Sequence, residues 1–141
     1  MQTASATPAA LKSILPDELD WKPFAAFPPA ARLAVLLGHP SRPGPYVIRV
    51  KLPADERLMP HWHPEDRIYT VMSGIFHIGL GERFDPAKLQ SYPPGSVVLL
   101  PGHTPHFHWA KCGEYVTQVI GVGPLGIEYM DRHDDPRKVQ P

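Results

Sequence analysis

Two histidines one residue apart, His61 and His63, stand in the stretch Met59-Pro60-His61-Trp62-His63-Pro64-Glu65-Asp66-Arg67. In an extended strand alternate side chains point to one face, so both imidazoles would leave the strand end together, about 7 Å apart at Cα. Two imidazoles held that way are half of a metal site, and imidazole suits zinc, copper, iron and nickel. A third histidine from elsewhere in the chain would complete it. Four residues beyond His63 comes Arg67, whose guanidinium stays protonated and cannot coordinate a cation.

The elements that must position these residues are short. Pro 19 and Gly 11 in 141 residues punctuate the chain often, which suits many brief strands and few helices. The segment Tyr46–Leu52 alternates, with Tyr46, Ile48, Val50 and Leu52 on one face and Val47, Arg49 and Lys51 on the other, as a half-buried strand does. Ala31–Leu37 reads as a strand ending at Gly38. Ile68–Met72 and Ile75–Leu80, joined at Ser73-Gly74, read as a hairpin. Asp85-Pro86-Ala87-Lys88-Leu89 reads as an N-cap, a proline at the first helical position and one short turn. Ser96–Leu100 reads as a buried strand, and His106–Ala110, Tyr115–Val122 and Gly126–Met130 as further strands. Trp21–Phe27 is expected as an edge segment against the domain or against a second subunit. Roughly eight to ten such strands and no helix of ordinary length predict an all-β sandwich or barrel.

The totals narrow the class further. At 141 residues the chain forms one domain. We expect residues 1–20 to be poorly ordered, 21–130 to form the domain, and 131–141 to be a polar tail. Lys+Arg and Asp+Glu balance at 14 each, so no net field steers the protein to nucleic acid or an anionic membrane. The single Cys112 excludes an internal disulfide. Met1–Asp20 lacks the apolar run of a secretory signal, and no stretch is long enough to span a bilayer. The expectation is a cytoplasmic protein without a nucleic-acid or membrane partner.

The chain resembles the cupin superfamily, small jelly-roll barrels (double-stranded β-helices) with two histidine motifs. Against the first, G-x5-H-x-H-x3-E-x6-G, His61, His63 and Gly74 hold their places, Asp55 replaces the first glycine and Arg67 replaces the glutamate. Against the second, G-x5-P-x-G-x2-H-x3-N, Gly95, Pro101 and His106 match, while His103 replaces the second glycine and Ala110 the asparagine. Both motifs occur in order, and the resemblance spans about 46–122. It implies a cupin barrel holding one divalent transition metal (iron, zinc, nickel or manganese) on His61, His63 and His106.

The resemblance leaves three readings of Arg67 open. A metal sits on three histidines with positions left for ligand; or Glu65 or Asp66 supplies the missing carboxylate; or Arg67 has abolished metal binding and the pocket takes an anionic small molecule. Arg67 itself either makes a rim salt bridge to Glu65, Asp66 or Glu114 or clamps a carboxylate or phosphate, which its forked geometry favours. Tyr69 should share its face, and His108 shares the phase of His106. Arg67, Tyr69 and His108 are therefore the candidate catalytic, pocket-lining residues, and Gln118 is a candidate substrate contact. His77, whose strand phase the sequence leaves open, His103, His39 and His133 are expected outside the ligand set. Trp62 and Trp109 should point away from the metal. The resemblance implies a homodimer acting on a small oxygen-rich or anionic molecule as a dioxygenase or isomerase. The alternative is a non-catalytic sensor or storage module.

Overall fold

The computed structural model describes residues 10–138. They form ten antiparallel strands: β1 (Arg32–Leu37), β2 (Gly44–Leu52), β3 (Arg57–Trp62), β4 (Arg67–Ser73), β5 (Phe76–Leu80), β6 (Gln90–Tyr92), β7 (Val97–Leu100), β8 (His106–Trp109), β9 (Tyr115–Gly123) and β10 (Glu128–Tyr129). Two five-stranded sheets result, ordered β1-β2-β9-β4-β7 and β10-β3-β8-β5-β6. Sheets packed face to face, with consecutive strands passing from one to the other, make a jelly roll. The only helical pieces among the described residues are three 3-10 turns, at Pro16–Glu18, Pro86–Lys88 and Arg132–Asp134.

The alternation read in β2 places Tyr46, Ile48, Val50 and Leu52 in the core between the sheets. They pack with Tyr69, Val71, Tyr115 and Val119 of their own sheet and with Leu58, Phe76 and Ile78 of the facing one. The short turn at Pro86–Lys88 is capped as its sequence suggests, the Asp85 side chain accepting from Ala87 N at 3.0 Å. Trp21–Phe27 lies against its own domain. Lys22 bridges to Leu33, Ala26 and Phe27 are buried, and Lys51 Nζ sits 4.3 Å from the centre of the Trp21 ring.

Two strand readings are corrected. β4 and β5 do not form a hairpin, because β4 pairs with β7 and β9 while β5 pairs with β6 and β8. Gly74, at φ 71°, turns a corner between the sheets, and a Cβ there would strike the Glu114 carbonyl. β7 is an edge strand and is not buried: Val97 and Leu99 are 61% and 72% exposed. An apolar run marks a buried strand only when both faces are covered, and here the outward residues of β7 are themselves apolar. Of the expected polar tail, residues up to 138 are described; Asp135 is buried and is held by Arg137, whose Nε and Nη2 each lie 3.0 Å from its carboxylate. Of the N-terminal segment expected to be poorly ordered, residues 1–9 lie outside the described residues, as do 139–141, while 10–20 are described and carry the Pro16–Glu18 turn.

The backbone keeps the glycine geometry of both histidine motifs even where the glycine is gone. Asp55 (φ 70°) and His103 (φ 61°) are the non-glycine residues with positive φ among the described residues. Each occupies a motif position where the family pattern has glycine. Gly74 and Gly95, the two motif glycines retained, also have positive φ.

Candidate metal centre

β3 and β8 are neighbours, and their register sets His61 directly opposite His106. His63 follows β3 by one residue and is tied across to the corner before β8, where His103 N donates to its carbonyl at 2.6 Å. Gly102 N donates to Asp66 Oδ1 at 2.7 Å, and a Cβ on Gly102 would strike the Pro64 carbonyl. The corner 101–103 is thereby fastened to the segment 63–66. This docking brings the two motifs together.

The three imidazoles converge. Ring centroids of His61 and His106 are 4.2 Å apart, those of His61 and His63 5.0 Å, and those of His63 and His106 5.2 Å. One nitrogen from each ring falls within 4.8 Å of the others. Every ring also has a backbone carbonyl at its Nδ1: Met59 O at 2.6 Å from His61, Gly126 O at 2.7 Å from His63, and Thr104 O at 2.8 Å from His106. A carbonyl only accepts, so each Nδ1 carries the proton and each Nε2 presents a lone pair. His61 Nε2 and His106 Nε2 are buried with no hydrogen-bond partner. Buried polar atoms are nearly always satisfied. Orphaned lone pairs aimed at a common point, with ring orientation fixed by outer carbonyls, fit a transition-metal ion.

The electrostatics keep these rings neutral. Burial pushes the pKa of His61 and His63 well below the usual histidine value, reinforced by neighbouring rings at His61 and by the Arg67 charge at His63. Burial takes His106 down to about 4. Neutral imidazole is the ligating form.

His108 lines the same cavity but stands outside the triad. Its Nδ1 donates to His77 O at 3.1 Å, and its ring lies 5.1 Å from His106 and 5.9 Å from His61. Burial lowers its pKa well below the ordinary value too. Tyr69 is buried in the wall and stacks on Phe76 at 5.2 Å. Arg67 is 2% exposed and faces the cavity, its guanidinium carbon 5.4 Å from the Tyr69 ring centre. The rim salt bridge is not formed, since no ion pair among the described residues includes Arg67.

Glu65 and Asp66 are both engaged away from the triad. Glu65 accepts from Tyr46 Oη at 2.8 Å and from Gly126 N at 3.2 Å, and Asp66 accepts from Gly102 N. Gln118 stands on the outer face of its sheet, opposite Arg49, whose Nε donates to it at 3.0 Å. Its neighbour Thr117 takes the inward position and lines the cavity. His77 pairs with Ser91 Oγ at 2.9 Å, and His103 packs on Trp62 with ring centres 5.1 Å apart. Trp109 lies beside Phe84 on the outside of the second sheet, with Arg57 4.5 Å from each ring centre.

The remaining wall of the cavity comes from Phe27, Val50, Leu58, Phe76 and Tyr115, and its volume is about 20 Å³. Sequence reading missed Phe27 and Tyr115 as lining residues, and missed Tyr46 and the Gly126 carbonyl as supports for His63. For Thr117 and Tyr115 a signal existed, because both share the inward phase of Val119 on β9. The link from Tyr46 through Glu65 to Gly126 joins distant segments and leaves no local pattern.

No protein-family model matches the chain, and no curated protein matches it in sequence. Solved structures do. KdgF from Halomonas sp. aligns with a TM-score of 0.63 at 21% identity, covering 80% of this chain and 94% of that one. The polyketide cyclase RemF from Streptomyces resistomycificus aligns with a TM-score of 0.71 at 14% identity, covering 92% of each chain. Rru_A2000 from Rhodospirillum rubrum, a cupin-2 domain, aligns at 0.65 and 13% identity, covering 92% of this chain and 86% of that one. Identities this low speak to fold, and the fold is that of the cupins.

Proposed function

We propose that the protein is a metal-dependent cupin whose mononuclear centre is held by His61, His63 and His106 and acts on a small-molecule substrate. The observation that carries this reading is the convergence of three Nε2 lone pairs, two of them orphaned in a buried site. A divalent iron, zinc, nickel or manganese ion would be held there, and when bound it supplies Lewis acidity or oxygen activation. Arg67, Tyr69 and His108 orient the substrate from the surrounding wall. The substrate is small and oxygen-rich or anionic, because the one fixed charge lining the cavity is the Arg67 cation. Dioxygenase or isomerase chemistry rests on fold analogy alone.

A second reading, a non-catalytic module that stores or senses a metal or small ligand, draws on the cavity's size. At about 20 Å³ it holds little more than a water molecule. In either reading the protein pairs with a second copy through the apolar outer face of the β1-β2-β9-β4-β7 sheet. No helix of the described residues is long and apolar enough to cross a membrane.

Metal analysis of protein purified without a histidine tag tests the centre. One equivalent of a divalent transition metal, absent from His61→Ala and His106→Ala, is the expected result. Folded protein that takes up no metal after reconstitution would overturn it. Turnover screened against diketones, thiols, hydroxy acids and enolisable sugars then separates enzyme from binding module.

A further inference from the structure

Arg67 is a buried charge with no ion-pair partner among the described residues. Its Nε has no hydrogen-bond partner, and its Nη1 approaches only His63, lying 3.0 Å from both Nδ1 and Nε2 of that ring. A donor equidistant from both ring nitrogens cannot lie in the ring plane without striking the carbon between them, so it sits over the ring face. The lone pair of His63 Nε2 lies in that plane and stays available. The carboxylates nearest in sequence, Glu65 and Asp66, accept from Tyr46, Gly126 and Gly102 rather than from Arg67, although the Glu65 charge bears on Tyr46 and Tyr69 together with that of Arg67.

A guanidinium does not escape burial by losing its proton, and an unpaired buried charge is strongly unfavourable. Three neutral imidazoles bring no negative charge. A divalent ion on them would raise the fixed charge of the cavity to about three positive units with Arg67 included. What the lining of the cavity lacks is an anion.

Building on the metal reading above, we propose that the centre binds its metal together with a small carboxylate-type anion seated between the metal and Arg67, each raising the affinity for the other. Two carboxylate oxygens match the guanidinium fork, one able to face Arg67 while the other faces the triad. The cavity of about 20 Å³ holds little more than a water molecule, so the wall must open to seat even formate or the carboxylate end of a substrate, and nothing larger than such a headgroup is expected. Arg67 thus stands where the family motif has a glutamate and leaves the negative charge to be supplied by the ligand. Metal loading and ligand binding become a single event.

Calorimetric titration of the full chain with Zn²⁺, in a chloride buffer and in the same buffer with formate, reads the coupling directly. Formate is expected to tighten Zn²⁺ binding by about tenfold or more, and Zn²⁺ to tighten formate binding by the same factor, as linkage requires. Arg67→Gln should abolish the coupling. Arg67→Glu should bind Zn²⁺ tightly with no anion and show no formate effect. Zn²⁺ bound by the wild-type chain with equal affinity in both buffers overturns the anion proposal and leaves the metal centre standing. Zn²⁺ bound by neither the wild-type chain nor Arg67→Glu, with both melting cooperatively, overturns the metal centre and the anion proposal together.

Discussion

Tyr46 and Glu65 meet across the barrel end in a 2.8 Å hydrogen bond, and the second oxygen of the same carboxylate accepts from Gly126 N. The Gly126 carbonyl in turn accepts from His63 Nδ1 at 2.7 Å. This chain fixes the tautomer and orientation of one ring of the triad from behind. Outer partners of ligating histidines typically contribute ten- to hundredfold in metal affinity. Glu65→Ala should therefore weaken Zn²⁺ binding by about tenfold or more, with Tyr46→Phe having a smaller effect. Calorimetry gives the affinity and a chemical melt the accompanying stability loss. Unchanged affinity in Glu65→Ala would show that the carbonyl needs no brace.

His103 and Asp55 hold backbone that glycine adopts freely, and the cost is measurable. A left-handed conformation costs an L-residue about 1–2 kcal/mol, less for aspartate. His103→Gly and His103→Ala both lose the contact with Trp62, so the difference between them isolates the backbone. The glycine variant should be the more stable by about 1 kcal/mol, reversing the usual order of the two residues. Equal melting temperatures would mean the corner relaxes away from φ 61° in solution.

The fold was legible because the chain writes its core in period two on β2 and spaces its two motifs as a jelly roll needs. The triad was legible because His61 and His106 carry the spacing that β3 and β8 convert into a cross-strand pair. Three things were hidden, each for a physical reason. The Ser73-Gly74 corner looked like a hairpin turn, because a glycine at positive φ serves both and only long-range pairing decides. β7 looked buried, because its apolar outer face resembles a core. Gln118 stands out by its polarity, but strand phase is what aims a side chain at a cavity, and on β9 it aims Thr117. The isolation of Arg67 could not be read locally at all, since it depends on Tyr46, Gly126 and Gly102 taking the nearby carboxylates.

Acid should destabilise the metal-free protein earlier than its overall charge suggests. Burial holds His61, His63, His106 and His108 below the ordinary histidine pKa, so the folded rings stay neutral where the unfolded rings take up protons. The unfolded state then binds more protons as pH falls, and stability present above the unfolded value of about 6.5 is lost below it. His106 stops contributing further loss near its folded value of about 4. Between pH 6.5 and 5.5 each ring removes roughly 1 kcal/mol, so the four together remove roughly 4 kcal/mol. Urea unfolding with a chelator present, run from pH 7.5 to 5, should show this slope. A flat profile would mean that all four rings take up protons as readily in the fold as in the unfolded chain.

The outer face of the β1-β2-β9-β4-β7 sheet carries an apolar row that crosses every strand. Leu37 pairs with Val47, Val47 with Ile120, Ile120 with Ile68, and Ile68 with Leu99. Each of the four edge and central members Leu37, Ile68, Leu99 and Ile120 is exposed in the single chain. A contiguous exposed apolar patch marks an interaction surface, and a two-fold pairing lets one such face cover its own copy. The protein should therefore sediment as a dimer at micromolar concentration. Ile120→Lys places a charge at the centre of the row, on a side chain 38% exposed, so it should release monomers that melt close to the wild-type temperature. A wild-type monomer at high concentration, or an Ile120→Lys protein that still sediments as a dimer, would place the contact elsewhere or remove it.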